Sequence, residues 1–228
     1  MGQRYRDADL ISALPYARGF DRELLICALG YSEGEGGEAE LRRLFETENG
    51  HNRSAAVASL ALRVGAASTP VLVQALHTTS AQLQESAARL LAKFGDASDS
   101  AELLGWVDRR LGRKNRSRTW DPTELPTGII FAARHGQLSE VAAVITRRWS
   151  NLEDDEHEWL RTTWPGPFTD DGSPGNTPRE GPLPAGLQGS IYQDLRGNAR
   201  GEPLWGFEAI DEALTRARRR AARASASN

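Results

Sequence analysis

The sequence predicts an all-α protein: an α-α superhelix, or solenoid, of about four to five stacked helical hairpins, followed by a Gly/Pro-rich loop and a C-terminal amphipathic helix. Three observations predict it. Through most of the chain apolar residues recur at three- and four-residue spacing, and strict alternation is scarce, which is the period of helices rather than strands. Start and stop residues punctuate that stretch coherently. The chain also resembles itself at a shift of 30 residues.

Taken in order, helices are expected at about 19–29, 38–47, 53–64, 69–77, 81–94, 99–111, 122–134, 138–149 and 152–162. Thr69–Pro70 and Asp121–Pro122 each place a capping oxygen before a proline at the first helical position, and Asp121 with Glu124 has capping-box spacing. Gly30, Gly65, Gly95 and Gly136 each follow an apolar helical stretch, where glycine can close a helix in the left-handed conformation.

The repeat binds these helices into units. A shift of 30 superposes Ala58, Leu60, Gly65, Ala67 and Ser68 on Ala88, Leu90, Gly95, Ala97 and Ser98, with Arg63 on Lys93 and Val64 on Phe94. One unit earlier the shift is 35, because of the insertion SEGEGG, and Leu25, Leu29 and Gly30 match Leu60, Val64 and Gly65. In the intervening helices Ala39, Leu41 and Leu44 correspond to Val71, Val73 and Leu76, then to Ala101, Leu103 and Trp106. A helical hairpin cannot bury its apolar face alone, so successive hairpins must stack. Trp106 is therefore expected in the core.

After the last helix the punctuation changes. Of the 33 Gly and Pro residues, 15 fall between Pro165 and Pro203, too many for a packed segment. Beyond them Phe207, Ile210, Leu214, Ala217 and Ala221 share one helical face with arginines opposite, which reads as a terminal helix docking an apolar stripe. The expected division is a repeat domain over 1–163, a loop or linker over 164–203, and the amphipathic helix with a frayed basic tail over 204–228.

Composition narrows the functional classes. Hydrophobic residues at 39% and charged residues at 26% describe a chain able to bury a sizeable core. The single Cys27, in the apolar run LLICAL, excludes an internal disulfide scaffold and reads as a small buried hydrophobe. No apolar run of about 18 residues stands out as a membrane span, and the first residues carry no apolar stretch of signal-peptide length, so a cytoplasmic protein without membrane contact is expected. The basic residues are 26 Arg and only 2 Lys, yet the net charge is -3 and the pI about 5.9, which disfavours a general nucleic-acid binder.

Catalytic patterns fail one by one. His157-Glu158-Trp159-Leu160-Arg161 begins like a zinc-protease helix, but Arg161 stands where the second histidine ligand belongs, which leaves His157 as a solvent-facing residue. Asp154/Asp155 and Asp170/Asp171 lack calcium-loop spacing, and the first pair suits a helix N-terminus. No phosphate-binding loop, nucleophile elbow or dinucleotide fingerprint is present in a strand-turn-helix context. No cofactor, no metal and no catalytic residue are expected.

The segments SAAVASLALRVGAASTPVLVQAL and QESAARLLAKFGDASDSAELLGWV resemble prokaryotic HEAT-like (armadillo-type) repeats, in which an alanine-rich helix ends in a short Gly-Asp turn before the next hairpin. The resemblance covers residues 19–112 well and 121–163 loosely. A single stretch, FAARHGQLSEVAAVI, also looks like the paired helices of an ankyrin repeat, without the usual turn upstream. The HEAT-like resemblance implies a scaffold whose second helices line a concave face, where Arg63, Arg89 and Lys93 would form a basic ladder. Arg109 and Arg110 crowd a neighbouring helix end with Arg113, Lys114, Arg116 and Arg118. These residues make a partner protein or acidic peptide the expected ligand. Two alternatives are nucleic-acid binding, as in HEAT-like DNA glycosylases, whose catalytic Trp/Asp pattern the chain does not match, and an enzyme whose site assembles only in the fold.

Overall fold

The computed structural model describes residues 5–113, 124–164 and 205–226; the Asp121–Pro122 start signal, Lys114, Arg116, Arg118, Trp120, Asp170/Asp171 and the 165–203 stretch lie outside them. The described chain is mostly helical with almost no strand. It forms two compact units, Met1–Ala87 with Gln193–Asn228, and Ala88–Tyr192.

The first unit opens with β1 (Tyr5–Arg6), α1 (Asp7–Ala13) and a 3₁₀ turn (Leu14–Tyr16), none of them anticipated. It continues through α2 (Phe20–Leu29), β2 (Ser32–Glu33), α3 (Gly37–Thr47), α4 (Gly50–Val64), a second 3₁₀ turn (Gly65–Ser68) and α5 (Thr69–Leu76). β1 and β2 pair in parallel, Tyr5 opposite Ser32. The helix α6 (Ala81–Phe94) begins in this unit and ends in the next. The second unit then holds a 3₁₀ turn (Ala97–Asp99), α7 (Ser100–Leu111), α8 (Glu124–Arg134), α9 (Leu138–Arg148), a 3₁₀ turn (Trp149–Asn151) and α10 (Asp154–Thr163). The terminal helix α11 (Gly206–Ser225) belongs to the first unit.

Both α4–α5 and α6–α7 are a helix, a 3₁₀ turn and a helix, and the aligned Leu25, Leu60 and Leu90 are all buried, as are Leu44, Leu76 and Trp106. Two of the four expected left-handed glycines are so, Gly65 (φ 56°) and Gly136 (φ 68°). Gly30 is instead right-handed and is required for close approach, since a Cβ there would lie 3.2 Å from the Ser59 backbone on α4. Nor does Thr69 cap α5: the cap is Ser68, whose hydroxyl donates to the Gly65 carbonyl at 2.6 Å. In the α6–α7 unit the turn has a full capping box, with the Asp96 carboxylate accepting from the Ser98 amide and Asp99 accepting from the Asp96 amide.

One stretch corrects the expectation that no apolar run reaches spanning length. Gly50–Leu76 contains an 18-residue stretch of mean hydropathy 1.6 and is long and apolar enough by length and composition alone. The chain turns within it at Gly65, and Ala56, Val57, Leu60, Ala61, Leu72 and Ala75 are buried within the protein, which is the behaviour of core helices.

The second unit is organised around α8. Every residue from Glu124 to Ala132 is buried, so this helix is covered on all sides instead of showing a polar face. Gly128 lets it in: a Cβ there would stand 3.1 Å from Val107 on α7 and 3.3 Å from Val141 on α9.

Candidate functional site

The basic residues singled out in the sequence have very different surroundings. Arg63, near the C-terminal end of α4, reaches back to the first residues of the chain. Its Nη1 donates to Asp7 (3.0 Å), to the Leu29 and Ser32 carbonyls (2.9 and 3.0 Å) and to the Ser32 hydroxyl (3.2 Å). Its Nη2 donates to Asp7 (2.8 Å) and to the Gly34 carbonyl (2.7 Å). Asp7 is only 3% exposed, and it accepts two further hydrogen bonds, from the Ser32 hydroxyl (2.5 Å) and the Gly37 amide (2.7 Å). Burial by itself raises the Asp7 carboxyl, but the bonds from Ser32, Gly37 and Arg63 outweigh it and hold the group below the usual carboxylate range.

This network explains the SEGEGG insertion that offsets the repeat. The loop folds around the guanidinium so closely that a Cβ on Gly37 would lie 2.5 Å from Arg63 Nη1 and 2.7 Å from Asp7 Oδ1. A side chain at Gly37 would have to displace one partner of the ion pair. Arg63 is an internal cation whose donors are directed at oxygens of its own chain.

Arg110 is likewise internal. It is buried on α7 and its Nε donates to Glu124 of α8 at 2.7 Å, so Glu124 pairs across helices. The three other predicted residues lie nearer the surface. Arg89 is half-buried on α6, Lys93 lies 4.8 Å above the Phe94 ring, and Arg109 is exposed on α7. All three belong to the second unit. Of the proposed ladder, then, Arg63 is engaged inside the first unit, while Arg89 and Lys93 share one helix.

The remaining candidates fall into place by packing. His157 is half-buried: its ring stacks on Trp149 at 4.2 Å, and its Nε2 lies 3.1 Å from the Trp149 carbonyl oxygen. Asp154, Asp155 and Glu156 occupy the first turn of α10, where their charge complements the helix dipole. Cys27 is half-buried, and burial with the Glu23 charge pushes its thiol up to about 12, which suits a packing residue rather than a nucleophile. Trp106 is in the core, Trp149 and Trp164 are buried, and Trp205 is exposed. Among the described residues no group of three or more His, Cys, Asp or Glu side chains is placed to hold a metal ion.

Sequence reading missed a second charged cluster. Asp21, at the start of α2, accepts from Arg216 (2.8 Å) and Arg220 (3.1 Å) of α11. The Arg216 bond, with that of Arg220, holds the Asp21 carboxyl below its ordinary value against the opposing effect of burial. The Tyr5 hydroxyl donates to Asp211 at 2.8 Å, and Phe20 meets Trp205 edge-on at 5.3 Å. No sequence signal links partners about 200 positions apart; the one clue was the arginine face of the terminal helix.

Compared with family models, with curated proteins and with solved structures, the chain has no match.

Proposed function

We propose that the chain is a non-enzymatic, cytoplasmic interaction protein, a HEAT-like solenoid whose stacked hairpins bind an acidic segment of a partner protein. The observation that carries this reading is the recurrence of one helix–3₁₀–helix unit with its buried leucines in register, because a repeated hairpin extends a surface without requiring a reactive centre. Arg89, Lys93 and Arg109 are the residues of the basic set that serve the acidic ligand. Arg63 and Arg110 are left out of it, since each already pairs with a buried carboxylate.

The test reverses charge at Arg89, Lys93 and Arg109 together and measures binding of a labelled polyglutamate peptide alongside helical circular dichroism. The reading predicts saturable binding by the native chain that falls at least tenfold in the triple variant, with helicity unchanged. Absence of binding by the native chain, or equal binding by both, overturns it. Duplex DNA is the control: tighter binding to DNA than to polyglutamate, weakening steeply between about 50 and 200 mM salt, would replace the acidic-peptide reading with nucleic-acid binding.

A further inference from the structure

The helix α11 is attached to the first unit differently from the helices around it. Of its twenty residues only Ile210, Ala213, Leu214 and Ala217 are buried, a stripe confined to the middle two turns. It packs against α1, the 3₁₀ turn Leu14–Tyr16 and α2. Around the stripe, the N-terminal turns are held by buried Tyr5, whose ring meets Phe207 and whose hydroxyl donates to Asp211, while the C-terminal half is held by exposed ion pairs. Arg216 and Arg220 share Asp21, Arg218 stands 3.5 Å from Asp9, and these three arginines are 43%, 38% and 58% exposed. By contrast α4 buries six residues in the same unit and anchors Arg63 on a carboxylate shielded from water.

A narrow apolar stripe flanked by exposed ion pairs is the way an amphipathic helix lies in a groove as a ligand. Exposed pairs contribute little and are screened by salt, so such a helix opens below the threshold for unfolding the unit that holds it. The acceptor side is specific: Asp21 is itself shielded, with a side chain 12% exposed, and its two arginines sit six and ten residues after Ile210.

We propose that α11 is a reversibly docked occupant of a helix-binding groove on the first unit, and that the groove, with Asp21 as its charge anchor, accepts in its place a basic amphipathic helix of the same pattern. Exchange of α11 for such a helix uncovers the stripe and the Trp205 side chain, which already stands 53% exposed beside Phe20. The device is independent of the basic residues of the second unit.

Two measurements test it. In the native chain, hydrogen exchange is followed at roughly 0.05 and 0.5 M NaCl. The amides of α11 are expected to exchange well before those of α4, and several-fold faster at the higher salt; protection equal to that of α4 and insensitive to salt overturns the proposal. In the second, a fluorescein-labelled peptide of residues 205–226 is titrated into the full chain carrying Leu214→Asp, which weakens the resident helix. Saturable binding is expected, at least tenfold weaker for a peptide with Arg216→Glu and Arg220→Glu. No saturable binding, or equal binding of the two peptides, contradicts the exchange.

Discussion

The two compact units use charge in different ways. In the first, ion pairs tie the opening elements α1 and α2 to later segments: Asp7 to Arg63, Arg22 to Glu48, and Asp21 to Arg216. In the second, a helix buried on all sides organises the packing, and the pairs Arg110–Glu124 and Arg148–Asp108 join α7 to the helices packed against it. Arg63 and Lys93, aligned in sequence, meet unlike surroundings, a buried carboxylate in one case and an aromatic ring in the other. A repeat fixes which positions are apolar; what a polar position does depends on the insertion beside it.

The largest effects should be shared by the units, because both depend on the same leucine register. Leu60→Asp and Leu90→Asp each place a charge where exposure is 1% or less, and each should cost more than about 4 kcal/mol and abolish the cooperative melt. A variant that melts like the native chain in circular dichroism breaks the register. The next effect should separate the units. Arg63→Ala strands Asp7 and should cost about 3–5 kcal/mol, whereas Lys93→Ala at the aligned position should cost about 1 kcal/mol or less, both read by urea unfolding. Equal costs would erase the distinction. Gly37→Ala drives a methyl into the same ion pair and should cost about 1–3 kcal/mol.

Acid sharpens the contrast further. Asp7, Asp21 and Glu48 of the first unit are all held below their ordinary values of 3.8, 3.8 and 4.5. A carboxyl with a depressed folded value releases its proton more readily when folded, so its contribution is complete above the unfolded value and disappears as pH falls below about 4 and through the folded value. The drop in melting temperature between pH 6 and pH 3 should therefore be smaller in Asp7→Asn than in the native chain, although the variant is less stable at pH 6. An unchanged drop would show that Asp7 carries no such linkage.

Most helices were legible from spacing alone, and their ends fell within a few residues of expectation at α2, α3, α6 and α9. Trp106 was legible as core because it aligned with Leu44 and Leu76. What escaped was tertiary in origin. The helix α1 has seven residues, too short for periodicity to register, and it is held by Asp7 contacts with Ser32, Gly37 and Arg63. The arginines of the expected ladder were chosen by alignment, and alignment is blind to a carboxylate 56 residues away. The glycines of SEGEGG were the one available hint, read as a length difference when their cause was close approach.

Arg63 is above all an internal cation that holds the fold through Asp7. The most direct test of that role is a double-mutant cycle in urea unfolding across Asp7→Ala, Arg63→Ala and the pair. The predicted result is a double variant no less stable than either single one, with a coupling of about 3 kcal/mol or more. Single costs that add to within about 0.5 kcal/mol would contradict it and return Arg63 to the surface.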